Sequence, residues 1–295
     1  MPANLTSHLI LAATLAWNQV LGLGPYVAGG ILLALLIGRL DLPRRCAHWL
    51  SRSGPGAVLG AACLGGASPL CTIGAAPVLV ELLRNGASPA PALAFLVASS
   101  LLNPQLFVLM VGGLGLPLAL VQVAGVLLLS LPVGLLVRRL KPEIFLSAET
   151  LSPAPRASAR ATLRPRAILR LVETVGLYFV IGVILAALLQ TLIPPAWTSA
   201  FLGTGHWYGV LLAGVLGVPL YVCGGGAVPI VAGLLAQGMS PGAALTFFLA
   251  GPATRLTSLA ALGALLNRRA LIAYTAYIIV GAALVGAALN LILGG

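Results

Sequence analysis

The sequence predicts an all-α integral membrane protein with an inverted-topology internal repeat, each half holding three transmembrane helices and one broken or re-entrant helical hairpin. Three observations lead there. Of the 295 residues, 60% are apolar and 7% charged, against about 25% charged in a soluble globular chain, so there is too little polar surface to cover a water-facing globule. The apolar mass is Leu, Ala, Val and Gly with only 6% aromatics, the make-up of helices packed through small residues rather than of an aromatic-girdled barrel. The second half of the chain also matches the first at a constant offset of 152 residues. Soluble enzymes and nucleic-acid-binding proteins are excluded by this composition, and the net charge of +11 carries information through its placement.

The elements follow in order. The first 18 residues contain no Lys or Arg and so lack the basic start of a secretory signal peptide, which predicts that they stay on the mature protein. A crossing helix needs about 20 mostly apolar residues, and stretches of that kind lie at 19–38, 88–113, 116–137, 169–193, 240–265 and 270–292. Two further apolar stretches, 55–84 and 207–237, are each interrupted near the middle, the first by Ser68-Pro69 and the second by Pro219 followed by Gly224-Gly225-Gly226. Such interruptions at membrane depth survive only where the freed backbone is buried in protein or lines a cavity.

Positive charge orients these elements. Arg39, Arg44, Arg45 and Arg52 fall in the first loop, Arg84 ends the first broken stretch, eight Lys/Arg lie between 138 and 170, and Arg268-Arg269 precede the last span. Segments 1–18, 113–116, 194–206, 237–239 and 290–295 have none. The positive-inside rule puts the basic loops in the cytoplasm, which requires 55–84 to enter and leave on the cytoplasmic side and 207–237 on the outer side, with both termini outside. Two short complete crossings in each stretch give the same loop orientation. The expected location is a bacterial inner membrane, with the lipid bilayer and a small-molecule or ion substrate as partners, no nucleic acid, and a homo-oligomer as an open option.

The duplication is densest where CTIGAAPVLVELLRNGASPAPALAFLVA (71–98) lies over CGGGAVPIVAGLLAQGMSPGAALTFFLA (223–250), with about 13 identities in 28 positions. Cys71/Cys223, Gly74/Gly226, Pro77/Pro229, Gly86/Gly238 and Phe95/Phe247 align without gaps. The domain plan is a first membrane repeat at 1–137, a basic Pro/Ser/Ala/Arg-rich cytoplasmic linker at 138–168 and a second repeat at 169–295. An odd number of crossings per half turns the halves upside down relative to each other. Inverted repeats with discontinuous helices are the architecture of many secondary transporters, whose substrate sites lie where the breaks meet near the midplane.

The candidate substrate-binding set follows from those breaks: Cys71, Thr72 and Gly74 at the first, Cys223, Gly224 and Gly225 at its counterpart, and Ser99, Ser100, Asn103, Thr254 and Arg255 at a second pair of Pro-interrupted positions. Cys71 and Cys223 are the candidate metal ligands, because thiols at helix N-termini have lowered pKa values and bind soft metals or trivalent arsenic; the alternative is that they are small buried hydrophobes. The hydroxyls and the Asn103 carboxamide either coordinate an ion or substrate or bond between helices. Arg255 stands inside an otherwise apolar span, where charge costs at least about 2.5–3.5 kcal/mol, and is satisfied either by an anionic substrate or by snorkelling to a half-helix C-terminus. Cys46, Cys63, His8, His48 and His206 fall outside these clusters and suggest no metal site. No cofactor is implied. A membrane-embedded hydrolase would need a nucleophile beside a His, Asp or metal cluster at depth, and a scaffold subunit would not need duplicated breaks, so transport leads, by a carrier or a channel.

Pro69-Leu70-Cys71 with Gly74 and Pro77, then Gly86-Ala87-Ser88 and Ala94-Phe95-Leu96, resembles the ArsP-like (DUF318) permease family, associated with organoarsenical and Cu/Zn efflux. PLYVCGGGAVPI and GMSPGAALTFFLAGPATR in the second half are similar to its copper/zinc branch. The resemblance spans both repeats and implies a permease for a small metal or metalloid, most directly efflux of an arsenical or soft metal. Two positions depart from the family pattern. Ile73 stands where the family has a second cysteine, and Arg255 stands where it has Asn, which argues for an anionic solute, a neutral metalloid or an oxyanion over a bare cation.

Overall fold

The computed structural model describes residues 54–68, 88–139, 195–204, 207–220, 226–254, 256–263 and 266–293, with scattered positions among 14–32, 75–83 and 177–184. Among them every regular element is a helix: α1 Pro55–Ala67, α2 Pro89–Leu101, α3 Pro104–Leu114, α4 Leu116–Val137, α5 Pro195–Leu202, α6 Trp207–Leu220, α7 Ala227–Ala236, α8 Pro241–Thr254, α9 Leu256–Gly263 and α10 Arg268–Ile292. Three stretches, Pro89–Leu114, Leu116–Val137 and Arg268–Ile292, are long and apolar enough to cross a membrane. The chain is therefore an all-helical integral membrane protein.

Proline and its neighbours set the helix limits. Pro55, Pro89 and Pro104 each stand at a helix start, where a missing N–H loses nothing. The residue before a proline is pushed to extended backbone, so Ser68 (ψ 135°) ends α1 ahead of Pro69, and Asn103 (ψ 161°) separates α2 from α3. The apolar stretch over 88–113 is thus broken at Leu102 and Asn103, beside the Pro104 interruption expected there. Gly115 turns α3 into α4 with φ 91°, a left-handed conformation that only glycine takes without strain. Pro219 behaves differently from the expectation, since α6 runs through it to Leu220. Near the end of a helix a proline forfeits few backbone bonds, and Gly224 and Gly225 lie outside the described residues. The uncharged segment 194–206 contains a short helix, α5, with Trp197 and Phe201 exposed, as suits side chains resting at a membrane interface.

Packing sorts the helices into a centre and a periphery. In α2 every residue from Ala90 to Leu101 is buried, and in α8 every residue from Gly242 to Thr254; helices that are apolar all round belong in the interior. The α4 and α10 helices bury one side and expose Leu120, Leu128, Leu136, Ile272, Val280 and Leu284 on the other, the face lipid covers. The neighbours of α2 are α1 and α4, and those of α8 are α6 and α10, while α8 also touches α2 and α4, and α4 touches α10. Both large apolar clusters draw residues from each half of the chain, so the halves share one core.

The elements recur along the chain. Helices begin at 55, 89, 104 and 116 and again at 207, 241, 256 and 268, each 152 residues later. Close contacts recur with them. A Cβ at Gly134 would run into Val58, Ala94 and the Ala90 carbonyl, and one at Gly286 into Val210, Thr246 and the Gly242 carbonyl, the same neighbours displaced by 152.

Candidate functional site at the helix breaks

Two backbone interruptions in the central helices release carbonyl groups deep inside the protein. Because α2 stops at Leu101 and the chain runs extended through Leu102 and Asn103, the Leu101 carbonyl has no helical donor four residues on. In α8 the donor that would serve the Phe248 carbonyl belongs to Pro252, which has no N–H. A single side chain meets both: Gln122 of α4 donates from Nε2 to the Leu101 and Phe248 carbonyls, each at 3.3 Å. Two carbonyl acceptors fix which end of the amide faces them, since only the NH₂ can donate. The opposite end, Gln122 Oε1, is buried with no partner.

The residues around this junction satisfy one another locally. Ser99 and Ser100 hydroxyls both donate to the Leu96 carbonyl, at 3.0 and 2.7 Å, and Thr254 Oγ1 donates to the Ala250 carbonyl at 2.8 Å. Ser258 Oγ of α9 donates to the Pro252 carbonyl at 2.7 Å, which closes the chain across the end of α8. Asn103 Oδ1 accepts from the Leu106 N–H at 2.7 Å, an N-cap for α3. Ser99, Ser100 and Thr254 are buried and Asn103 is partly buried. The structure therefore places Ser99, Ser100 and Asn103 at the end of α2 and Thr254 at the end of α8, with these hydroxyls bonded to their own helices. Cys71, Thr72, Gly74, Cys223, Gly224, Gly225 and Arg255 lie outside the described residues, as does any thiolate or guanidinium contact they make. Cys63, on α1, is exposed.

Sequence reasoning missed Gln122 and, on α10, Tyr274. The Tyr274 hydroxyl is turned toward the Ser100 side chain but makes no hydrogen bond within ordinary distance and angle limits. A signal existed: Gln122 is the one carboxamide in the 22-residue apolar helix α4, and the 152-residue offset carries it onto Tyr274.

A cavity of about 1310 Å³ opens between α2, α4, α9 and α10. Leu93, Leu96 and Val97 of α2 form one wall, Val133 and Leu136 of α4 another, and Tyr274 and Tyr277 of α10 a third. Arg138, Arg139 and Arg269 stand at its mouth. Tyr277 Oη is held by donation to the Leu129 carbonyl at 2.9 Å.

Known proteins bear on this arrangement. A stretch of 88 residues is 36% identical to the UPF0718 protein YraQ of Escherichia coli (strain K12), covering 30% of this chain and 25% of that one. A stretch of 114 residues is 25% identical to the UPF0718 protein MJ0584 of Methanocaldococcus jannaschii, covering 39% and 31%. These matches span about a quarter and a third of the relatives' lengths. No solved structure matches the chain. The model of the ArsP_1 family, described as a predicted permease, matches residues 11–291. With interrupted helices in a shared apolar core and a family match over nearly its whole length, the chain belongs to the ArsP_1 family of predicted permeases.

Proposed function

We propose that this chain is a secondary-type permease that moves a small metal, metalloid or anionic solute across the bacterial inner membrane, with efflux of an arsenical or soft metal as its leading role. One observation carries the reading: carbonyls released at Leu101 and Phe248, from helices in opposite halves of the chain, converge on one buried amide. Irregular backbone of this kind at membrane depth belongs to protein interiors that handle a solute. The recurrence of helices and glycine contacts at 152 residues supports two repeats, 1–137 and 169–295, joined by the 138–168 linker and inverted in the membrane with both termini outside. The 13, 14 and 10 residues of α1, α6 and α7 give lengths of about 15–21 Å, short of the ~30 Å hydrocarbon core, which favours re-entrant arms. Cys71, Thr72 and Gly74 with Cys223, Gly224 and Gly225 form one part of the solute path in this reading, and Ser99, Ser100, Asn103, Thr254 and Arg255 the other.

Flux into proteoliposomes holding the purified full chain tests it, with Cu(I), Zn(II) and trivalent arsenicals as probes. Cys71→Ser and Cys223→Ser each abolish flux, while Cys46→Ser and Cys63→Ser leave it intact at matched protein levels. Full activity in the Cys71→Ser/Cys223→Ser double variant removes thiolate ligation from the mechanism. Arg255 favours a second reading, a carrier for a small inorganic or sulfur-containing oxyanion. In the same vesicles Arg255→Gln then weakens oxyanion affinity, and unchanged affinity for every oxyanion discards that reading.

A further inference from the structure

Arg138 and Arg139, just past the end of α4, and Arg269, in the first turn of α10, stand together at the mouth of the cavity between α2, α4, α9 and α10. All three are exposed, and the described residues include no Asp or Glu to pair with them. Cations suit the carbonyl end of α4, but Arg269 sits at the positive end of the α10 dipole, where an anion is favoured and a cation is not. Behind the arginines the walls turn apolar, with Leu93 and Val97 of α2, Val133 and Leu136 of α4 and Ala273 of α10. Along α10 the groove runs from Arg269 to Tyr277, about 12 Å of helix. That is less than half of the ~30 Å hydrocarbon core, the depth of one leaflet. Leu135 and Leu136 line it and are exposed, so it opens sideways onto the face that lipid covers. At its inner end Tyr277 commits its hydroxyl to the Leu129 carbonyl.

We infer that this groove holds one anionic phospholipid, with an acyl chain along the apolar walls and the phosphate among Arg138, Arg139 and Arg269. The lipid is a bound partner of this face and not the transported solute, so the inference goes beyond the permease reading. Charge and shape choose the occupant together. Guanidinium groups bind phosphate oxygens through paired N–H donors, and basic pockets between transmembrane helices take anionic headgroups in this way. A free oxyanion would use the arginines and leave the apolar walls bare, whereas a zwitterionic lipid would fill the walls and bring no net charge to the arginines. Seated there, the lipid bridges the end of α4 and the start of α10, helices from opposite halves of the chain, and so stabilises the fold by binding it.

The test titrates the delipidated, detergent-purified full chain with dioleoyl phosphatidylglycerol, dioleoyl phosphatidylcholine and inorganic phosphate, reading melting temperature and lipid-bound species by native mass spectrometry. Phosphatidylglycerol is expected to bind with one-to-one saturation and raise melting well above the other two probes. Arg138→Gln and Arg269→Gln each weaken it about fivefold while leaving the melting of the lipid-free protein unchanged, since both side chains are exposed. Arg268 is exposed and does not line the groove, so Arg268→Gln keeps affinity close to wild type. Ala273→Trp fills the groove from an exposed wall position without touching charge, and it too weakens phosphatidylglycerol. Four results each overturn the site. Equal stabilisation by phosphatidylcholine removes the headgroup, and equal stabilisation by inorganic phosphate makes it a free-anion site. Equal losses in Arg268→Gln and Arg269→Gln reduce it to diffuse surface charge, and unchanged affinity in Ala273→Trp shows that no chain lies in the groove. Binding is read without flux, so failure here leaves the permease standing, and failed flux leaves the lipid site standing.

Discussion

At the scale of single residues the junction turns on proline's missing N–H and on the polar side chains that answer for it. Pro252 frees the Phe248 carbonyl for Gln122, and the stop before Pro104 makes room for Asn103 to cap α3. Asn103 has two readings, solute ligand and helix cap, and they separate experimentally. Loss of an N-cap costs about 0.5–2 kcal/mol, so Asn103→Ala lowers the melting temperature in detergent by a few degrees. Asn103→Ser, whose hydroxyl can accept the same Leu106 N–H, restores most of it. If flux also returns in Asn103→Ser, the residue acts as a cap; if stability returns and flux does not, its carboxamide touches the solute.

At the scale of elements, close packing of small residues decides which helices meet. Gly286 of α10 lies so near the Gly242 carbonyl and Thr246 Oγ1 that no Cβ fits, and Thr246 fastens the same crossing by donating to the Gly242 and Ala282 carbonyls. Overpacking a tight contact costs about 1–3 kcal/mol, and here the obstacle is backbone, which cannot swing aside. Gly286→Ala and its counterpart Gly134→Ala are each expected to lower thermal stability by that amount, whereas Gly56→Ala, where a Cβ meets open space, leaves melting unchanged. These elements differ in how openly the sequence declares them. Pro89, Pro104 and Pro241 mark helix starts because proline's backbone preferences are local, and Ser68-Pro69 marks an end for the same reason. Pro219 misleads because a proline near a helix end and a proline that breaks one look alike in sequence. The interruption at Leu102 and Asn103 is visible as Asn-Pro, yet the surrounding apolar run reads as one continuous span. Gln122 stays hidden because a single polar residue in an apolar helix gains meaning only from the carbonyls that tertiary packing places opposite it.

At the scale of the molecule, the question is how two halves with one shared core sit in the membrane. The two buried helices α2 and α8 touch each other and α8 also touches α4, so the halves meet along their innermost helices, and their relative orientation must be fixed during insertion. Charge offers the mechanism. The loop 39–52 holds four arginines while the aligned segment 191–204 holds no Lys or Arg, and juxtamembrane basic residues are retained on the cytoplasmic side. The expected outcome of such unequal charge on equivalent loops is insertion of the two halves in opposite senses. Single cysteines placed in loops 39–52 and 138–168 of a cysteine-free chain should therefore resist an impermeant thiol reagent applied to intact cells, and those in 194–204 should react at once. Moving the charge should move the protein: neutralising Arg39, Arg44, Arg45 and Arg52 together while placing arginines in 194–204 should scramble labelling of both loops and abolish flux, because α2 and α8 could no longer meet. Labelling of loops 39–52 and 191–204 from the same side in the unaltered protein would overturn the inverted arrangement.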